Sequence, residues 1–263
     1  MTTMIFPPQT SLRVTQPRGA VVPLVGKETV VVPSQHSNKG PTTEVQLMEH
    51  HLDLPARPDR RLVMHTAPDS PRAAAFRIMR HHLLENGKPQ VIVVASPNRG
   101  EGKTTAAVNL ALALSECGRA KVLLLEAHLR RPQLAQMFGF VPPVCLTTQL
   151  QDHRLNALAP WTFVNVPELW LNVAALDPRT ERTQLLDGPA YAIAIERLRM
   201  ASYDHIVIDA PSVLGSAEVN LLADPADCVV LALRAKHSTL RDVRASVEQL
   251  GQAKIAGTVL IER

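Results

Sequence analysis

V-I-V-V-A-S-P-N-R-G-E-G-K-T-T-A-A-V-N, residues 91–109, opens with an apolar run, Val91 to Ala95, that is mostly β-branched. That pattern predicts a buried strand. A tight loop follows, carrying Gly100 and Gly102, then Lys103, Thr104 and Thr105. From there the sequence turns helical and alanine-rich, and Gly118 stands where a helix C-terminus would use it. Strand, glycine loop, Gly-Lys-Thr and helix, in that order, form a phosphate-binding loop.

Glycines let consecutive backbone N–H groups curl around an anion with no Cβ in the way. The following helix adds unpaired donors and the positive end of its dipole. Lys103 is placed to reach the β- and γ-phosphates of a nucleotide, and the Thr104 hydroxyl to ligate Mg²⁺. The candidate nucleotide-binding residues are therefore Asn98, Arg99, Gly100, Glu101, Gly102, Lys103, Thr104 and Thr105, with Glu101 bracing the loop from inside. One departure is visible: the usual motif has glycine five residues before Gly102, where this chain has Pro97.

Upstream, residues 71–86 read as a helix, with Phe76, Met79 and Leu83 on one apolar stripe and Gly87 ending it. Pro71 suits its first turn, and Arg77 and Arg80 share a side. Residues 1–60 hold eight of the 21 prolines among many Ser, Thr and Gln. They read as a disordered or loosely attached leader, with His50 and His51 in solvent, and residues 61–263 as the folded domain.

Downstream, K-V-L-L-L-E (121–126) is a second strand, and strand–helix–strand at this spacing implies a right-handed βαβ unit in a parallel sheet. Residues 133–167, broken by prolines, read as irregular, followed by a strand over about 169–175 and a helix over 189–200. D-H-I-V-I-D-A-P-S (204–212) is a buried strand that ends in Asp209, and in open α/β sheets ligands sit at the carboxyl ends of strands. Two more strands, 228–233 and 258–261, flank an amphipathic helix that starts after Ser238 or Thr239 and stops at Gly251. The predicted fold is α/β: a P-loop NTPase with a mostly parallel central sheet of about seven strands and helices on both faces.

Composition narrows the function. No run of 18 apolar residues predicts a membrane-spanning helix, and the N-terminus lacks the features of a secretory signal. Cys117, Cys145 and Cys228 are scattered, with no metal spacing, which fits a reduced, cytoplasmic setting. A formal charge of +4 is too mild to indicate a nucleic-acid partner.

Taken in order, several motifs resemble the cytoplasmic tyrosine kinase domains of bacterial polysaccharide assembly, the BY-kinases, over about residues 68–261. S-P-R-A-A-A-F-R-I-M-R-H-H-L resembles the family's first helix, and A-S-P-N-R-G-E-G-K-T-T its first Walker motif. V-L-L-L-E-A-H-L-R-R-P resembles the Walker A′ motif, Y-D-H-I-V-I-D-A-P-S-V the Walker B strand, and D-P-A-D-C-V-V-L-A-L-R a late strand. The resemblance implies ATP and Mg²⁺ as cofactors and tyrosine phosphorylation as the activity. It also implies a membrane partner controlling polysaccharide chain length and export, with the protein peripheral to the inner membrane. Carried over, Lys103, Glu126, His128 and Asp209 are the catalytic candidates, and Thr104, Asp209 and Glu126 the metal candidates. Arg77 and Arg80 would lie on the helix that joins subunits of a homo-oligomer.

The departures point toward weakened transfer. The family's A′ motif carries Asp-x-Asp, where this chain has Glu126 and His128. A histidine largely neutral near pH 7 does not replace an anionic ligand like for like. The family's first helix has Glu where Ala74 stands, its tail has clustered tyrosines where this sequence has only Tyr191 and Tyr203, and its last strand runs into Asn where Ile261 stands. Two readings result: an active kinase acting on a partner's tyrosines, and a nucleotide-binding regulatory subunit that transfers little phosphate. A partitioning-type ATPase of the same deviant Walker class fits less well, because Asn98 replaces that class's extra lysine.

Overall fold

A computed structural model of the chain describes residues 3–4, 25–32, 45–156, 158–179 and 188–262, with side chains from residue 45 onward. In chain order the elements are β1 (Thr3–Met4), β2 (Val25–Val32), β3 (Val45–His51), α1 (Val63–Thr66), α2 (Pro71–Glu85), β4 (Val91–Ser96) and α3 (Lys103–Ser115). Next come β5 (Val122–Glu126), α4 (Leu134–Phe138), α5 (Leu146–Leu155), β6 (Trp161–Val166), β7 (Leu171–Ala174) and α6 (Gly188–Met200). The chain finishes with β8 (His205–Ser212), α7 (Glu218–Ala223), β9 (Cys228–Arg234), α8 (Leu240–Leu250) and β10 (Ile255–Ile261).

The strands form one sheet in the order β1-β10-β9-β4-β8-β5-β7-β6-β3-β2. From β1 to β7 every neighbouring pair is parallel, whereas β6 runs antiparallel to β7 and β2 antiparallel to β3. The central strands β4, β8 and β5 are buried along their whole length because helices cover both of their faces. On β4 the alternation is explicit: Ile92 and Val94 join the core under α3, while Val91, Val93 and Ala95 join the core under α6 and α7. Helix α3 is buried along nearly its whole length, Thr105 excepted. Its alanines (106, 107, 111 and 113) let it lie close to the strands it crosses, and they lose no side-chain entropy in doing so. The P-loop strand β4 sits at the centre of the sheet, where the strand order reverses, and that crevice is where open α/β sheets take ligands.

Helix α2 matches its predicted bounds. Ser70 caps it by accepting from the Ala73 N–H at 3.2 Å, and Pro71 occupies the first turn. Helix α8 starts after Thr239, whose hydroxyl accepts from the Asp242 N–H.

Two expectations fail. Residues 133–167 are not irregular: they contain α4, α5 and the strand β6. Residues 45–60 are not a loose leader either. Val45 and Leu47 face inward with Gln46 exposed between them, the period of a half-buried strand. Leu47 pairs with Trp161 on β6, Leu52 is fully buried, and His50 is buried rather than solvated. Val30–Val32 lie in β2 and pair with Val45–Leu47. The remainder of the expected leader lies outside the described residues. Among the described residues no helix is long and apolar enough to cross a membrane.

Candidate nucleotide-binding site

The loop between β4 and α3 is built on two left-handed glycines, Gly100 at φ +78° and Gly102 at φ +91°. Gly102 is the N-cap residue of α3 and leaves the helix without a side-chain cap. The first-turn N–H groups are thus open to an external acceptor, the condition for an anion site. Ile261, at the end of β10, packs on Gly102: a Cβ there would lie 2.5 Å from the Ile261 Cδ1.

Lys103 and Thr104 open α3, and both side chains are buried. Burial pulls the Lys103 ammonium below the ordinary lysine range. The Asp209 carboxylate opposes that shift, and the nearby Arg99 and Arg131 charges reinforce it. Asp209 sits in β8 in register with Val94 of β4 and Glu126 of β5. It is 1% exposed, and apart from the adjacent Thr104 hydroxyl neither carboxylate oxygen has a hydrogen-bond partner. Burial pushes Asp209 up to about 6, held back by the Lys103 charge and the adjacent Thr104 hydroxyl. A buried carboxylate is costly in isolation, whereas beside a threonine hydroxyl it suits a hydrated divalent cation. The residues present therefore fit Mg²⁺ as the notional ligand of Thr104 and Asp209.

Glu126 stands differently. One oxygen accepts from the Gln133 and Leu134 N–H groups, the latter at 2.9 Å, and the other from the Leu176 N–H at 3.0 Å. The carboxylate thus caps the start of α4 and pins the chain leaving β7. Three backbone donors occupy most of its lone-pair positions, so the geometry is that of a brace. Burial pushes Glu126 up to about 7 against those donors. His128 is buried, and its Nδ1 lies 3.0 Å from the Arg131 carbonyl oxygen. That contact requires the proton on Nδ1 and leaves Nε2 as an acceptor. Burial, with the Lys103 charge next, lowers His128 to about 4, so the ring is neutral at pH 7 as its type predicted.

The other loop residues divide by role. Arg99 and Gly100 are exposed at the tip, and Thr105 is half-buried. Asn98 and Glu101 are spent on the loop's own structure. The Asn98 N–H donates to Glu101 Oε2 at 2.6 Å, and the Asn98 side-chain amide donates to Asp242 of α8 at 3.0 Å. Sequence reading missed Ser238, which reaches the loop from the turn after β9, and Asp242, which reaches it from the first turn of α8. Nothing local signals a contact across that many residues.

Arg77 and Arg80 both reach Glu116 of the same chain. Arg77 donates to Glu116 Oε1 through Nε and Nη2 at 2.8 and 2.6 Å, and Arg80 donates to Glu116 Oε2 at 2.9 Å and to the Ala113 carbonyl at 2.7 Å. Both are tied within the chain to the end of α3. Glu116 supplies from another helix a carboxylate partner such as Ala74 cannot provide.

Three comparisons bear on this arrangement. A family model described as ParA, NUBPL iron-transfer P-loop NTPase, matches residues 88–262. A putative tyrosine-protein kinase, EpsB, of Ralstonia solanacearum is 28% identical over 229 residues, covering 84% of this chain and 30% of its own length. The succinoglycan biosynthesis transport protein ExoP of Rhizobium meliloti (strain 1021) is 29% identical over 206 residues, 74% of this chain and 25% of its own length. The chain thus spans less than a third of each of these relatives. Among solved structures, the VpsO kinase domain is 28% identical and aligns with a TM-score of 0.63 over 73% of this chain and 95% of that domain.

Proposed function

Because the chain belongs to the ParA family of P-loop NTPases, we propose that it binds ATP with Mg²⁺ as a tyrosine-kinase-like module of exopolysaccharide assembly. The observation that carries this reading is the meeting of Lys103, Thr104 and a buried Asp209 beneath an uncapped helix start. In it, the α3 amides and Lys103 hold the phosphates, while Thr104 and Asp209 hold the cation, which neutralises phosphate charge. The relatives named for tyrosine kinase and for succinoglycan transport support the setting. The module works beside a membrane protein of chain-length control and export, on the cytoplasmic side. Iron transfer is not adopted from the family description, since Cys117, Cys145 and Cys228 form no Cys-x-x-Cys pair.

Tyr191 and Tyr203, the two tyrosines of the sequence, are 1% and 2% exposed, so neither hydroxyl reaches a kinase site while the chain is folded. A second reading, a nucleotide-dependent regulator with little transfer, is favoured by Glu126, whose oxygens are committed to backbone donors. Incubation with labelled ATP, Mg²⁺ and a Glu/Tyr copolymer separates the two. Phosphotyrosine made by the natural chain and lost in Lys103→Ala supports the kinase. Transfer seen only after Glu126→Asp with His128→Asp supports the regulator. Transfer surviving in Lys103→Ala contradicts both.

A further inference from the structure

Glu101 is a carboxylate inside a loop built for anions. It is fully buried, and among the described residues no cation pairs with it as a salt bridge. A buried negative charge beside a phosphate site works against the ligand, so its place there calls for a compensating role. Its contacts supply one. Oε2 accepts from the Asn98 N–H at 2.6 Å, and Oε1 accepts from the Ser238 hydroxyl at 2.6 Å. Ser238 is itself fixed, because its Oγ accepts from the Arg234 N–H at 2.8 Å. On the next peptide unit, the Ser96 hydroxyl donates to the Asn98 carbonyl oxygen at 2.6 Å. The Asn98 side chain adds its bond to Asp242, in the first turn of α8.

The first half of the loop is therefore hung from the β9–α8 turn rather than from its own helix. With the Asn98 N–H turned inward onto a carboxylate, the chain has to swing outward at Arg99 and Gly100 before re-entering at Gly102. Gly100 and Gly102 allow the path, since both hold positive φ, but they do not select it among the many a glycine loop can follow. A hydrogen-bond acceptor anchored on a second element does select it.

We propose that Glu101, held by Ser238, is the positioning residue of the phosphate loop, and that the β9–α8 turn thereby sets nucleotide affinity. This deepens the nucleotide-binding reading and rests on it. Two consequences separate positioning from mere packing. The contribution of Glu101 runs through Ser238, so the two are not additive. The conservative Glu101→Gln keeps an oxygen for the Asn98 N–H and an amide that can donate to Ser238 Oγ, so it restores what Glu101→Ala loses while removing the opposing charge.

The test is calorimetric titration of the full chain with ADP and Mg²⁺, with thermal midpoints recorded alongside, for the natural chain, Glu101→Ala, Ser238→Ala, the double variant and Glu101→Gln. Glu101→Ala and Ser238→Ala are each expected to weaken binding about tenfold, the loss of one charge-assisted hydrogen bond's ordering. The double variant should fall within about threefold of the weaker single one, and Glu101→Gln within about threefold of the natural chain. Losses in the two single variants that multiply in the double one, or natural affinity in Glu101→Ala, would overturn the proposal while leaving the nucleotide site intact. Should Glu101→Ala not fold, the Ser238→Ala and Glu101→Gln results decide alone: natural affinity in Ser238→Ala, or a tenfold loss in Glu101→Gln, overturns it. No binding by the natural chain removes the nucleotide-binding reading and this one with it.

Discussion

Asp209 holds its charge at a cost in the absence of a cation, and that cost depends on pH in a definite direction. Its carboxyl is raised to about 6 from an ordinary 3.8, so the folded state disfavours the charged form. Stability linked to this group is complete below about pH 4 and declines as pH rises toward about 6, staying level above. Asp209→Asn removes the penalty. Thermal melts without nucleotide should find the variant more stable than the natural chain at pH 7, by an amount on the order of a few kcal/mol, with the gap closing near pH 4. A variant that is less stable at pH 7 would mean that the Lys103 charge and the Thr104 hydroxyl outweigh the burial of the Asp209 carboxylate. The same substitution should abolish Mg²⁺-dependent nucleotide binding. Much of this site is legible in sequence, because Lys103, Thr104 and Asp209 are placed by local patterns: a glycine loop entering a helix, and an acid ending an apolar strand. The role of Glu126 is not legible. An acid at the end of β5 looks the same whether it faces a cation or backbone amides, and the amides of Gln133, Leu134 and Leu176 come from later segments. The anchoring of Glu101 is hidden for the same reason, since Ser238 approaches through tertiary folding.

Between elements, the clearest fastening is the clasp of α2 on α3. The Arg77 guanidinium, with Arg80 beside it, holds Glu116 below the ordinary carboxylate range. A lowered carboxylate contributes stability that is present above its unfolded value and fades as pH falls through its folded one. Glu116→Gln should therefore lower the denaturant midpoint at pH 7, by about 1 kcal/mol for a partly exposed two-arginine site, with the difference from the natural chain vanishing in acid. Arg80→Ala should destabilise in the same way and leave the mass in solution unchanged by light scattering. A change in mass without a change in stability would place Arg80 at a subunit interface. The helices of this clasp are well forecast, because Ser70, Pro71 and the Phe76–Met79–Leu83 stripe are local signals. The strand β6 is not. Trp161 to Val166 lies between Pro160 and Pro167 in a proline-punctuated stretch, and it forms a strand only because β3 and β7 offer it partners.

At the scale of the molecule, the sheet extends past the parallel NTPase core through β6, β3 and β2, so the folded unit reaches back at least to residue 45. Proline content made that region look unstructured, whereas Leu47 and Leu52 are both fully buried. Removing two such side chains forfeits roughly 3–6 kcal/mol of burial and uncovers Trp161 and Phe163 of the adjoining core. A chain beginning at residue 61 should thus aggregate or unfold at markedly lower urea than the full chain. Equal stability of the two would show that β3 is dispensable. The central claim concerns the crevice at the middle of this sheet, and the most direct measurement is titration of the full chain with ATP, with and without Mg²⁺, beside Lys103→Ala. The prediction is one site per chain, dependent on Mg²⁺, with affinity lost in Lys103→Ala while its thermal midpoint stays near or above that of the natural chain. Binding by Lys103→Ala as tight as by the natural chain, or no binding by either, would contradict it.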